Sequence, residues 1–431
     1  MEKRVPILLL GVSFSLRIAL TWFHITHGSQ AFGTLYPFAD FEGYVQPQLG
    51  FLAQGLLPYR DFAYSLTPLF LYALYPFYSI GGMTAATIPI IGADAVVPVV
   101  IYLTAKEVGG RRVGIIAGLV YAFSPLALFY EGLIWMNSEP ALLFALLSLY
   151  FMQQKRASTS ALALGIAVLF NQSTLALVPV AILWQLRETR RQFARSSFLF
   201  LATLLIGSLP FLLLMPLPYL QEVSFGILGA LKPGPGFHYV GGNFDIAAIT
   251  NSTLASSAAR LESLQASGTC TGLINLLTDV ETCAANGTIF YSVNHPQGFL
   301  GALGLFSDKV GFLLMVGMTM LAIPALWVIR RAANFYLTTS VFSSIAFLVV
   351  YSAEAHPVIR YYLLLPYALL LVSSVKWRHL TVPIVAMVVS IFTPDGNFQL
   401  MLLLGSLLLF ITLQEGAATK RLHPKRLQRG T

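Results

Sequence analysis

Charged side chains are scarce in this sequence. They make up 10% of its 431 residues, where an ordinary soluble domain carries about a quarter. Cysteine is nearly absent. The two present, Cys270 and Cys283, exclude a scaffold stapled by several disulfides. Acidic residues are the rarer sign, 18 against 26 lysines and arginines. No repeat period or low-complexity tract runs through the chain, which excludes a solenoid or a disordered linker protein.

What fills the sequence instead is apolar. Hydrophobic residues account for 56%, the mean hydropathy is +0.73, and apolar runs of about 20 residues recur along the length. The expected fold class is an all-α polytopic membrane protein with about twelve transmembrane helices. We place the spans near 5–26, 84–105, 113–129, 139–152, 158–172, 174–186, 196–216, 308–329, 334–352, 361–375, 380–393 and 397–413. The first run opens with Lys3 and Arg4, is long enough to cross a bilayer, and has no small-residue cleavage site after it. A retained span is therefore expected rather than a removed signal peptide.

The basic residues lie in the short loops between spans. On this topology twenty of the 26 lysines and arginines fall on the side of the N-terminus, and only Glu2, Glu107, Glu188 and Glu415 of the 18 acids accompany them. That asymmetry predicts cytoplasmic N- and C-termini. The basic charge is not gathered on a soluble face, so nucleic acid is not an expected partner. The tail KRLHPKRLQRGT reads as a cytoplasmic anchor near anionic headgroups.

Two charged residues, Arg17 and Asp94, fall deep inside spans. Arg17 lies nine residues below the outer end of the first, and Asp94 ten residues below that of the second. At 1.5 Å per residue both depths are about 15 Å, so antiparallel neighbours would pair them in a structural ion pair.

The chain is expected to be one membrane domain over 1–431, with two large extracytoplasmic segments, 27–83 and 217–305. In the first, FEGYVQPQLGFLAQG spaces Phe41, Tyr44, Val45, Leu49 and Leu52 as the apolar face of an interfacial helix, with Pro47 either in its first turn or at a kink. LTPLFLYALYPFYSI is too short for a span and reads as a second, partly inserted helix. The larger loop holds both cysteines, either as a disulfide or as free thiols, and the sequons Asn251-Ser252-Thr253 and Asn286-Gly287-Thr288. Asn171-Gln172-Ser173 reads as a polar turn between two spans.

The outer face gathers several charged or titratable groups beside apolar segments: Asp40, Glu42, Arg60 and Asp61 in the first loop, Glu131 and Glu139 around FYEGLIWMNSEP, Lys232, His238 and His295 in the large loop, and His356 and Arg360 in SAEAHPVIRYYLLLP. A carboxylate beside cationic groups at a membrane surface suits chemistry on a lipid phosphate. The acid can act as a base, and arginines can hold the phosphate through bidentate hydrogen bonds. Each also has a plainer reading: a solvated Glu42, Asp61 as a helix cap, Glu131 and Glu139 as markers of the water boundary, and His356 as a loop residue.

Four stretches resemble the GT-C superfamily of integral membrane glycosyltransferases, which includes protein mannosyltransferases, aminoarabinose transferases and GPI mannosyltransferases. They are Asp40-Phe41-Glu42 after the first span, GLLPYRDFAYSLTPLFLY, KEVGGRRVGIIAGLVYAFSP leading to MNSEP, and HPVIRYYLLLP. They cover most of the first 175 residues and the region 356–366. The resemblance implies a catalytic module over 1–216, followed by an extracytoplasmic loop at 217–305 and C-terminal transmembrane helices at 306–431. It implies transfer of a sugar, expected to be a hexose such as mannose, from a polyprenyl (for example dolichyl) phosphate donor. The acceptor would be a glycolipid, glycan or protein on the extracytoplasmic face. Asp40 would be the catalytic base. Arg60, Lys232, His356, Arg360 and Tyr361 would hold the phosphate, Glu131 and Glu139 would form a second acidic site, and Asp40 with Glu42 would ligate a divalent Mg or Mn where one is used. The alternative expectation is a transporter or flippase of a lipid-linked sugar or anion. A transporter predicts internal repeats or broken helices meeting at mid-membrane, and the sequence has neither.

Overall fold

The computed structural model describes residues 4–27, 41, 45–59, 64, 67–136, 139–186, 189–214, 219, 339–345, 347–348, 360–392, 399, 402–410 and 413. Every regular element among them is helical. The chain opens with α1 (Arg4–His27), a short α2 (Gln46–Ala53), α3 (Leu69–Ala86), α4 (Ile88–Gly109) and α5 (Arg111–Ala122). A one-turn α6 (Pro125–Ala127) then runs into a π-helical turn, Leu128–Leu133. Next come α7 (Glu139–Gln153), α8 (Ala157–Phe170), a 3-10 turn Gln172–Leu177, α9 (Val178–Gln185) and α10 (Arg190–Leu214). Further along lie a 3-10 turn Arg360–Leu363, α11 (Leu364–Val372), a second 3-10 turn Trp377–Leu380 and α12 (Thr381–Phe392).

Four of the described helices are long and apolar enough to cross a membrane: Arg4–His27, Ile88–Gly109, Arg111–Leu133 and Arg190–Leu214. Shorter apolar helices cover Glu139–Gln153, Ala157–Phe170, Gln172–Gln185 and Trp377–Phe392. The expected span 308–329 lies outside the described residues, and 334–352 and 397–413 are described in part. The second span starts later than expected, because Thr87 separates α3 from α4 and Pro89 opens α4, where a missing N–H is tolerated. Arg190, Arg191 and Arg195 belong to the start of α10 rather than to a loop before it.

α4 is the hub. It packs against α1, α3, α5, α7 and α11, and 67% of its apolar window is buried, against 11% for α10. In lipid the hydrophobic effect does not drive helices together, so close approach of backbones and interhelical hydrogen bonds must do so. Gly114 and Gly118 on α5 provide that approach. A Cβ on Gly114 would lie 2.7 Å from the carbonyl oxygen of Tyr102, and one on Gly118 2.9 Å from that of Pro98. Gly165 meets Thr203 in the same way where α8 crosses α10. Ser148 on α7 donates to the carbonyl of Ser160 on α8 at 2.9 Å.

A second, aromatic-rich core sits at the end of the bundle where α1 finishes and α4 begins. It contains Phe41, Val45, Leu49, Tyr59, Tyr64, Phe70, Ile90, Trp135, Phe211 and Tyr219. Tyr59 stacks edge-on to Phe211 at 5.2 Å and to Tyr219 at 5.0 Å. This corrects the expectation of a helix floating in the interface. α2 does form with Pro47 in its first turn, but Val45, Leu49 and Leu52 are buried against protein, beside α3, rather than turned to lipid. α3 is likewise helical but does not run straight. Gly81 and Gly82 leave helical geometry, and Gly82 has φ 62° and ψ −151°, a region open to glycine alone.

Candidate functional site

The charged residues buried in the bundle are the clearest polar construction in the protein. Arg17 and Asp94 are both fully buried. Arg17 Nε donates to Asp94 Oδ2 at 2.6 Å and its Nη2 to Oδ1 at 3.1 Å, the bidentate geometry that suits guanidinium to carboxylate. The depth argument from sequence thus holds. The remaining nitrogen, Nη1, donates at 2.6 Å to the carbonyl of Ala122, the last residue of α5. Helix ends leave such carbonyls without intrahelical partners, and a cation there also complements the helix dipole. One side chain therefore ties α1, α4 and α5 together.

Beside this pair, Tyr121 donates to Glu139 Oε1 at 2.5 Å. Glu139 is the first residue of α7, where a carboxylate faces the positive end of the helix dipole. Its Oε2 has no hydrogen-bond partner among the described residues. Glu131 lies on the π turn and is also fully buried. The electrostatic field at the Tyr121 hydroxyl includes Glu139, Asp94 and Glu131. These two glutamates do not mark the water boundary. Helical single-turn π segments recur at functional sites, and this one folds Glu131 inward.

The chain leaves the π turn through Trp135, a non-glycine residue in the left-handed region at φ 54°, a geometry that costs about 1 kcal/mol or more. Neighbours hold it there. Its indole Nε1 donates to Thr21 Oγ1 at 3.1 Å, its ring lies 4.3 Å from that of His24, and Phe41 packs against it at 5.6 Å. Thr21 in turn donates to the carbonyl of Gly132 at 3.3 Å. The end of α1 is thereby latched to the acid-bearing turn. Sequence reading missed Tyr121, Trp135 and His24; their one visible signal is polar aromatic atoms inside otherwise apolar stretches, which must find partners when buried.

A cleft opens at this same end. It is lined by Ala141 and Leu142 of α7, Asn171, Ser173, Thr174 and Ala176, then Ser344, Phe347 and Leu348, and Tyr362, Leu364, Leu365 and Pro366. Asn171 caps the turn beneath it, its Oδ1 accepting from the Ser173 N–H at 2.9 Å, as expected of a polar turn. Glu139 is two residues from the cleft wall on α7. Arg360 and Tyr361 form the backbone of the 3-10 turn that carries Tyr362 into it. The structure therefore brings the first turn of α7, through Ala141 and Leu142, and the 3-10 turn, through Tyr362, to one cleft.

The other sequence candidates, Asp40, Glu42, Arg60, Asp61, Lys232 and His356, lie outside the described residues, as do Cys270, Cys283, His238 and His295. Among the described residues no group of three His, Cys, Asp or Glu side chains is placed to hold a metal ion.

Comparison with known proteins adds three findings. No curated protein matches the chain. A crystal structure of the Archaeoglobus fulgidus oligosaccharyltransferase in complex with Zn and sulfate is similar over 91% of this chain and 53% of that one, at 15% identity and a TM-score of 0.34. The chain thus spans about half the length of that enzyme, and the superposition is too loose to assign a fold. The family model of the GPI transamidase subunit PIG-U matches residues 13–228, half of the chain, from the middle of α1 through α10, and with its membrane-length helices the protein is an integral membrane member of the PIG-U family.

Proposed function

We propose that this protein binds a lipid-linked glycan at the acid-bearing end of its bundle and acts there as an inverting glycosyltransferase with a polyprenyl-phosphate donor. The observation that supports the lipid-glycan part is membership of the PIG-U family, described as a GPI transamidase subunit. The matched residues include the first loop with Asp40, the Arg17–Asp94 pair and both buried glutamates. The apolar cleft beside Tyr362 is suited to hold part of a lipid chain.

In the proposed reaction, the Asp40 carboxylate takes the proton of an acceptor hydroxyl as that oxygen attacks the anomeric carbon. The bond from that carbon to the phosphate oxygen breaks, its electron pair leaves with polyprenyl phosphate, and the sugar's configuration inverts. Arg360, with Arg60, Lys232, His356 and Tyr361, would balance the phosphate charge. A divalent Mg or Mn, where one takes part, would be held by Asp40 and Glu42; retained activity after exhaustive chelation removes that role. Glu131 and Glu139, being buried, would position the π turn and α7 rather than touch substrate. The expected sidedness has both termini cytoplasmic and this end extracytoplasmic.

The family description favours a second reading, in which the chain is a non-catalytic subunit that presents the glycolipid to a partner enzyme. One experiment separates the two. The purified chain is supplied with a labelled polyprenyl-phosphate hexose and a mixture of glycolipid acceptors, and both retention and release of polyprenyl phosphate are measured. Glycosyl transfer predicts release that falls by about 10²-fold or more in Asp40→Asn. A presenting subunit predicts saturable retention of glycolipid from the mixture with no release of polyprenyl phosphate in either protein. Release that is unchanged in Asp40→Asn contradicts the assigned base.

A further inference from the structure

The opposite end of the bundle carries a cluster with a different character. Two segments meet there, the α4–α5 junction and the stretch 373–380. They are in close backbone contact, since a Cβ on Gly109 would lie 2.6 Å from the carbonyl oxygen of Ser374. Arg112 from the first segment lies over the ring of Trp377 from the second, 5.7 Å from its centroid, and Arg378 lies 5.6 Å from the same centroid. Arg111, Arg112, Lys376, Trp377 and Arg378 are all exposed, Trp377 by 45%. None of the four cations has an ion-pair partner among the described residues, where the one such pair is Arg17–Asp94.

Each feature points the same way. An exposed tryptophan at a helix end of a membrane protein marks the headgroup zone. Stacking on the indole orients a guanidinium while leaving its N–H fork available to a phosphate. Arg111 and Arg112 also occupy the first turn of α5, the end of a helix dipole that disfavours cations, and an anion bound there would offset that repulsion. Against these cations the α4–α5 segment brings a single acid, Glu107.

We propose that Arg112, Trp377 and Arg378 form a binding site for the phosphodiester headgroup of an anionic membrane lipid. The site is remote in sequence and position from the acid-bearing end and does not depend on which chemistry occurs there. It fixes the α4–α5 turn and the 373–380 turn to the membrane surface through one shared ligand.

The test uses the full chain purified in mild detergent with an equimolar mixture of phosphatidylglycerol and phosphatidylcholine, and counts retained lipids by native mass spectrometry. The wild type retains phosphatidylglycerol in preference. Arg112→Gln and Arg378→Gln each lower that preference by roughly fivefold, and the pair by about 25-fold. Arg190→Gln with Arg191→Gln removes the same charge from the start of α10 and leaves the preference largely intact. An unchanged preference in the Arg112/Arg378 double variant overturns the site, and so does an equal loss in the Arg190/Arg191 control, which would reduce the effect to net charge. Fluorescence gives a second readout in the intact protein. Brominated phosphatidylglycerol quenches tryptophan emission more than brominated phosphatidylcholine, and the excess disappears in Trp377→Phe. Equal quenching by the two lipids contradicts the proposal.

Discussion

Arg17 and Arg112 stand at opposite ends of one bundle and show two ways for a membrane protein to keep a guanidinium. Arg17 is fully buried and turns each of its three guanidinium nitrogens to protein: two to a carboxylate held bidentate and one to the last carbonyl of α5. Arg112 is exposed and stacked on an exposed indole, with its charge uncompensated among the described residues. The first arrangement joins three helices and leaves nothing for a ligand. The second leaves its hydrogen-bonding edge outward. Burial and pairing separate an architectural charge from a binding one more reliably than residue type does, which is why an intramembrane arginine here is not the functional one.

That contrast can be broken in graded steps. The largest effect is expected at Arg17. Arg17→Met leaves Asp94 as an uncompensated buried carboxylate and should destabilise the protein by about 3–5 kcal/mol, seen as a large fall in thermal midpoint in detergent. Arg17→Met combined with Asp94→Leu should recover most of that loss; if the double variant is as unstable as the single, the pair is not the architectural element described here. Next is the α4–α5 contact. Gly114→Ala drives a methyl against the Tyr102 carbonyl, and a loss of about 1–3 kcal/mol is expected, measured in the same way. Tyr121→Phe removes the one hydrogen bond that the Glu139 carboxyl receives among the described residues and should cost about 1–3 kcal/mol. The smallest effect belongs to Arg112→Gln, within about 0.5 kcal/mol for an exposed position. A destabilisation there comparable to Arg17→Met would erase the distinction between the two ends.

Much of this architecture is legible in the residues themselves. Hydropathy locates α1, α4, α7, α8 and α10 to within a few residues, and counting residues from the span ends pairs Arg17 with Asp94. Pro47 takes the first turn of α2, one of the two places that its missing N–H leaves open. Other features escape such reading for physical reasons. Glu131 stands at the end of an apolar run, where a surface position is the natural inference; only the π turn, a wider winding too short here to leave a repeat in the sequence, turns it inward. The amphipathic pattern of Phe41, Val45, Leu49 and Leu52 states that one face must be covered, but not whether lipid or protein covers it. Gly114 and Gly118, four residues apart in an apolar helix, do carry a readable packing signal, and it is the one most easily overlooked beside the charges. At the candidate site, Leu142 of α7 and Tyr362 of the 3-10 turn line one cleft although they lie 220 residues apart, a juxtaposition that no local pattern encodes.

The claim on which the functional account rests is recognition of a lipid-linked glycan, and equilibrium binding tests it most directly. The purified chain is titrated with a labelled polyprenyl-phosphate hexose. The account predicts saturable binding that is competed by unlabelled polyprenyl phosphate and not by a neutral polyprenol of the same chain length. Absence of saturable binding, or equal competition by the neutral polyprenol, would contradict it.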